Sequence, residues 1–196
     1  MGEMIKMVVV LTVLSVISGG ALAYIQNTTT EKIEYNKLQF IKGPAIKAIL
    51  SGTSNDPIVD RFKIDQAGTE HTFFVGEYDG APKAVVFESS GKGFGGDVGI
   101  VVGVDLETDK ILGVGVTTHS ETPGVGSRAK SDPTFVSQFK DQILKDSFKV
   151  TADGGQVNAI SGATITSRAV SAALTDASKL YAELKPEIIE KAKALK

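Results

Sequence analysis

The chain has 196 residues, 42% of them hydrophobic, which suits one globular domain plus a short additional segment and is too apolar for a disordered chain. A formal net charge of −2 without a basic stripe argues against nucleic acid as a partner. Cysteine is absent, which excludes disulfides, thiolate metal sites, iron–sulfur ligation and cysteine nucleophiles within this chain, and only two histidines are present, so no dedicated metal site is expected. A chain of this composition that moves electrons needs a bound organic cofactor or a cluster on another subunit.

The uncharged, mostly apolar run Met7–Ile25 is long enough to cross a bilayer core of about 30 Å as a helix. Lys6 and the small-residue site Ala21-Leu22-Ala23 also fit a cleaved signal peptide. The run is longer than an h-region of roughly 7–15 residues, and it is present from Met1, so its retention as an anchor in membrane lipid is expected. Gly19-Gly20 would allow close packing of another helix, against the simpler role of small lipid-facing residues. Lys6 on one side and Lys32 and Lys37 on the other leave only a slight charge bias for orientation.

From Gln26 to Leu50, Ile33, Leu38, Ile41, Ala45, Ile46 and Ile49 recur at helical spacing. This reads as a stalk helix, an interruption at Gly43-Pro44 and a short helix ending at Ser51-Gly52. From about Thr72 the pattern changes to short β runs. Thr72–Tyr78 and Lys83–Glu88 flank the turn Asp79-Gly80-Ala81-Pro82, and Val98–Asp105 and Ile111–Val116 form a second hairpin. Ser131–Lys145 is expected to be helical, opened by Asp132-Pro133 and carrying Phe135, Val136, Phe139, Ile143 and Leu144 on one face. Phe148–Thr151 and Gln156–Ala159 read as short strands. From Val170, the residues Ala173, Leu174, Ala177, Leu180, Tyr181 and Leu184 mark an amphipathic helix, with Pro186 as an expected break. Hairpins with helices grouped elsewhere predict an α+β fold, a mainly antiparallel sheet with packed helices, preceded by one N-terminal transmembrane helix.

Three segments stand out for chemistry. The first is Ser161-Gly162-Ala163-Thr164-Ile165-Thr166-Ser167, just before the last helix. Small residues leave its backbone accessible, and a phosphate gains from the unpaired N–H groups of a following helix. Thr166 or Ser167 could cap that helix, and a plain loop rich in hydroxyls is the simpler alternative. The second is His119-Ser120-Glu121-Thr122-Pro123-Gly124-Val125-Gly126. Adjacent His, Ser and Glu seldom form a hydrolase triad, no G-x-S-x-G elbow is present, and Pro-Gly favours a type II turn on a surface loop. The third is Gly91–Gly96, which lacks the Lys-Ser/Thr of a P-loop and precedes a strand, as a tight turn would. Arg128, Lys130 and Arg168 sit near these segments. Solvent is their simplest setting, with Arg168 best placed to approach a phosphate. His71, just before a strand, reads as structural.

Ser161–Ser167 resembles the S/T-G-A-T-x-T/S flavin-attachment motif, and His119–Gly126 resembles the H-x-E-T-P-G-L/V-G segment, of the RnfG and NqrC FMN-binding family. The two occur in that family's order, after a glycine-rich turn like Gly91–Gly96. The resemblance is closest from Gly91 to Leu184. An Asp often stands shortly before S-G-A-T in the family, where this chain has Asn158, with Asp153 further back.

The resemblance implies one FMN held covalently by a phosphoester on Thr164 and installed by a separate flavin transferase. Ser161, Gly162, Ala163, Thr166 and Ser167 would surround the attachment, and His119, Glu121, Thr122, Gly124 and Gly126 would lie by the flavin ring. Gly91–Gly96 would shape the pocket with backbone alone. No catalytic side chain is implied, because the flavin does the chemistry. The implied organisation is residues 1–25 as cytoplasmic start and transmembrane helix, 26–52 as stalk and 53–196 as FMN-binding domain on the periplasmic or extracellular side of the cell membrane. The implied function is a redox subunit of an Rnf-type translocase, working with other membrane and redox subunits to couple ferredoxin/NAD electron transfer to Na+ or H+ translocation. The alternatives are an NqrC-like subunit of a Na+-translocating NADH:quinone reductase, which is usually longer, a stand-alone exported FMN-binding electron-transfer protein, and an exported domain without a cofactor.

Overall fold

A computed structural model describes residues 2–144 and 147–195. The chain divides into two compact units, Met1–Phe40 and Ile41–Lys196. The first unit is dominated by helix α1, Gly2–Asn36, whose stretch Gly2–Thr30 is long and apolar enough to cross a membrane. Threonine hydroxyls bond back to the helix: Thr12 and Thr28 donate to the carbonyls of Val8 and Tyr24 at 2.8 and 2.9 Å. That removes the cost of a bare hydroxyl in hydrocarbon. The helix runs past Ile25 without a change of structure. The break expected at Gly43-Pro44 falls earlier, at a π-helical segment, Lys37–Lys42. Pro44 instead opens helix α2, Gly43–Ile49, where a missing N–H costs nothing.

In the second unit, β1 (Arg61–Gln66), β2 (Thr69–Tyr78), β3 (Ala81–Lys92), β4 (Asp97–Asp105) and β5 (Ile111–Thr118) form one antiparallel meander in sequence order. Asp79 and Gly80 both take left-handed φ, 56° and 72°, and make a two-residue hairpin that pairs Tyr78 with Ala81. Ala81 and Pro82, expected in the turn, therefore begin β3. Strand β1 is an addition to the expected set. It pairs with β2 through a second tight turn at Ala67-Gly68, φ 52° and 82°.

Strand alternation gives the sheet two covered faces. Val85, Phe87, Ser89 and Gly91 pair with Val104, Val102, Ile100 and Val98, and helix α5, Thr164–Ala194, lies on this face. Here Ser89 donates to the carbonyl of Ala173 at 2.8 Å, and a Cβ on Gly91 would meet the Ala169 carbonyl oxygen at 2.1 Å. Helix and sheet backbones thus nearly touch at the end of β3. Val86, Val101 and Gly103 face the other way, toward α2, where a Cβ on Gly103 would lie 2.2 Å from Cγ2 of Ile49. Gly103→Ala is expected to lower the stability of the detergent-purified chain in urea by about 1–3 kcal/mol, the usual cost of overpacking. An unchanged midpoint would mean that α2 is not seated there.

Three expectations are corrected. The helix expected over Ser131–Lys145 is two short pieces, α3 (Arg128–Ser131) and α4 (Pro133–Ser137), with Lys145 outside the described residues. Asp132 does cap α4, accepting from Thr134 N–H at 3.0 Å. The chain then leaves helix because Asp141 adopts φ 65° and the backbone of Asp141 and Gln142 bonds to Ile111. The expected strands Phe148–Thr151 and Gln156–Ala159 reduce to a single parallel bridge, Val150 to Val157, around a 3-10 turn at Thr151–Asp153. Pro186 does not break α5. The helix continues because Ile188 and Ala192 beyond it are buried in the core, and tertiary packing outweighs the lost bond.

Candidate functional site

The last helix begins on a clamped turn. Gly162 takes φ 79°, and Ala163 N–H closes a turn onto the Ile160 carbonyl at 2.9 Å. Ser167, fully buried, holds this turn from the helix side: its hydroxyl accepts from Ile160 N–H at 2.9 Å and donates to the Ala163 carbonyl at 3.0 Å. The helical ladder starts with Ser167 N–H to Ala163 C=O at 3.0 Å, and no side chain among the described residues caps the end of α5. The capping role expected for Thr166 or Ser167 is therefore not taken. The first turn of α5 keeps the positive potential of unpaired N–H groups.

The His119–Gly126 loop meets this helix through Glu121, whose side chain is only 6% exposed. One carboxylate oxygen accepts from Gly95 N–H at 2.8 Å and the other from the Thr166 hydroxyl, with Phe94 N–H also donating to the group. His119 Nδ1 accepts from Glu121 N–H at 3.3 Å. One side chain thus ties together the β3–β4 turn, the His119–Gly126 loop and the first turn of α5. Gly126 lies so close that a Cβ would meet Glu121 Oε2 at 2.6 Å and Thr166 Oγ1 at 2.7 Å. The tip of the loop is the expected Pro-Gly turn, with Gly124 at φ 73° and Val125 N–H bonded to Thr122 C=O at 3.2 Å.

Burial pushes the Glu121 carboxyl up, but its hydrogen bonds from Thr166, Gly95 and Phe94, with His119 nearby, hold it below the ordinary glutamate range. A depressed folded-state value stabilises the fold above the unfolded pKa, and that stability is lost as pH falls through the folded value. The denaturation midpoint is therefore expected to drop below pH 4.5, the ordinary value. Glu121→Gln should flatten that acid slope. A variant with the full wild-type slope would assign it to other carboxylates.

These elements enclose a cavity of about 340 Å³, within the range of small-ligand sites. Of the residues singled out from the sequence, Glu121, Thr122, Gly126, Gly162, Ala163, Thr164 and Thr166 line it. The other four do not. Ser167 is buried beneath the turn, His119 stands behind Glu121, Gly124 is at the exposed turn tip, and Ser161 borders a neighbouring groove with Arg128 and Asn158. Three lining residues were missed: Phe94, Val125 and Ile165. The available signal was an apolar side chain inside each otherwise small or polar motif.

The hydroxyls of the Ser161–Ser167 segment are not equivalent. Those of Thr166 and Ser167 are buried and committed to Glu121, Ala163 and Ile160. Thr164 is half-buried on the cavity, and among the described residues its hydroxyl has no protein partner. Arg168 takes the solvated setting expected as its simplest one and does not line the cavity. It makes a two-point pair with Asp153, both bonds 2.7 Å, and the guanidinium holds the Asp153 carboxyl below its usual range. Both partners are well exposed and screened by solvent, so Arg168→Ala should leave the urea midpoint nearly unchanged.

Comparison with known proteins adds a family match, two relatives and a solved structure. Residues 93–179 match the FMN-binding domain family. The chain is 32% identical over 177 residues to the G subunit of the ion-translocating oxidoreductase complex of Methanosarcina acetivorans, spanning 89% of this chain and 93% of that one. It is 30% identical over 172 residues to the protein of the same name in Vibrio cholerae serotype O1, spanning 82% of each. Among solved structures, the C subunit of the Na+-translocating NADH-quinone reductase of Parabacteroides distasonis is 28% identical with a TM-score of 0.49, matched over 59% of this chain and 63% of its own length.

Proposed function

This chain belongs to the family of G subunits of ion-translocating oxidoreductase complexes, and from that premise we propose that Thr164 carries its FMN as a phosphoester. The protein is an FMN-binding electron-transfer subunit of such a complex, a redox subunit anchored by one apolar N-terminal helix. Bound FMN supplies a one- or two-electron relay. The observation that carries the assignment is the uncommitted hydroxyl of Thr164, on the cavity, at the first residue of an uncapped helix. The residues around it have distinct tasks. The first N–H groups of α5 favour the negative phosphate. Ser167 fixes the turn that presents Thr164, and Gly162 and Ala163 leave it accessible. Glu121 and Thr122 line the same cavity, with Glu121 tied to the first turn of α5 through Thr166.

A separate flavin transferase installs the group, as the resemblance of Ser161–Ser167 to the flavin-attachment motif implies. The domain stands on the periplasmic or extracellular side of the membrane, with the N-terminus in the cytoplasm and α1 in lipid. There it passes electrons among other membrane and redox subunits of a translocase that couples ferredoxin/NAD electron transfer to Na+ or H+ movement.

The test is intact mass spectrometry of the denatured chain isolated from membranes. The expected mass is that of the full chain plus FMN less one water. An unmodified mass rejects covalent attachment, and a chain starting near Tyr24 rejects the retained anchor.

A further inference from the structure

We propose that Phe94 is the plate on which the isoalloxazine ring stacks, with Val125 and Ile165 closing an apolar clamp around it. The inference rests on Thr164 as the attachment residue. Phe94, Val125 and Ile165 are 73%, 41% and 47% exposed, yet all three line the cavity that Thr164 lines. They come from three separate places in the chain: the β3–β4 turn, the loop after Pro123 and the first turn of α5. A single exposed apolar side chain needs no explanation, whereas three converging on one cavity mark a place for an apolar ligand surface.

Phe94 is the most informative of the three, because its ring is exposed while its backbone is held. Gly93 N–H bonds to Gly96 C=O at 2.9 Å, and the N–H groups of Phe94 and Gly95 both donate to the buried Glu121 carboxylate. Gly95 sits so close to the loop that a Cβ would fall 2.0 Å from the Ser120 carbonyl oxygen. A buried carboxylate is thus committed to fixing the backbone of a residue whose side chain reaches out. An aromatic ring has only two side-chain torsions, so on a fixed backbone it offers a broad apolar face at low entropic cost. Offset stacking is the favoured contact between two such planes, and the isoalloxazine is a planar aromatic system tethered to the same cavity through Thr164. The Gly91–Gly96 turn therefore contributes a side chain to the site as well as backbone.

The chain contains no tryptophan, so Phe94→Trp introduces a single one. Indole in contact with a flavin quenches its emission by reversible electron transfer to the excited ring. In full-length flavinylated protein, Phe94→Trp is expected to lose native flavin emission several-fold relative to the parent. Val59→Trp, at a site also 73% exposed but away from the cavity, should leave it unchanged. Denaturation should restore equal emission in all three, showing equal loading. Phe94→Ala should keep its flavin and become several-fold more sensitive to iodide quenching. Equal native emission from Phe94→Trp and Val59→Trp overturns the stacking. A parent that retains no flavin after denaturation is instead the failure of the Thr164 assignment. Stacking is then decided by titrating free FMN into the same proteins, where selective quenching by Phe94→Trp supports it and equal emission or no binding overturns it.

Discussion

Thr164→Val is expected to abolish flavin fluorescence of the denatured chain while leaving the fold within about 1 kcal/mol of wild type. The substitution keeps the β-branched shape and removes only the hydroxyl. Among the described residues that hydroxyl bonds to no protein group, so no internal partner is stranded. Thr166→Val is the opposite case. It leaves the Thr164 hydroxyl in place but strands one oxygen of the buried Glu121 carboxylate, at a cost of about 1–3 kcal/mol. The pair therefore separates chemistry from architecture: one variant loses the label and keeps stability, the other keeps the label and loses stability. In-gel fluorescence under denaturing conditions and a urea titration read the two quantities. A fluorescent Thr164→Val band would move the attachment to another hydroxyl.

Glu121→Ala is expected to be the most damaging single change around the cavity, costing about 3 kcal/mol or more. It leaves the N–H groups of Phe94 and Gly95 and the Thr166 hydroxyl without their shared acceptor, and opens space beneath Gly126. Flavin loading should fall with it, because the loop, turn and helix that enclose the cavity lose their common tie. Glu121→Gln retains the volume and one acceptor, so it should load flavin. Its effect should appear in the reduction potential. A carboxylate beside the ring opposes added negative charge, and its replacement by an amide should raise the potential by on the order of tens of millivolts, the equivalent of about 1 kcal/mol. Spectroelectrochemical titration of the loaded variant is the measurement. An unchanged potential would mean that Glu121 acts only through the backbone groups it holds.

What could be read in advance followed the range of the interactions involved. The hairpins at Asp79-Gly80 and between β4 and β5 are local, and turn chemistry with alternation marks them. Strand β1 was hidden because its turn is Ala67-Gly68, with alanine where an asparagine or aspartate would have announced left-handed φ. The helix expected over Ser131–Lys145 had a sound cap and an apolar face, but its later part is bound by Ile111 on a different strand. Pro186 looked like a stop only because the burial of Ile188 and Ala192 cannot be seen from the helix alone. The candidate site divides the same way. Thr164 lies in a compact motif and was legible there. Glu121 was legible as a loop residue but not as a buried tie, since its partners Gly95 and Thr166 are 26 and 45 positions away. Ser167 looked like one hydroxyl among several until its two bonds to the preceding turn were seen.

The meander order of the sheet also sets a timetable for biosynthesis. All five strands pair with their sequence neighbours, so the sheet is built from short-range closures and can assemble as soon as residue 118 has emerged. Helix α5 is the last element of the chain, and it supplies both the Thr164 hydroxyl and the Thr166 donor that completes the Glu121 tie. A nascent or truncated chain can thus possess its whole sheet and still lack the proposed acceptor for the flavin. The hydroxyl reaches its place on the cavity only when the helix has docked, with Gly91 against Ala169 and Ser89 bonded to Ala173. With Thr164 as the proposed attachment residue, loading is expected to report that the domain has finished folding, and an incomplete chain to stay unlabelled.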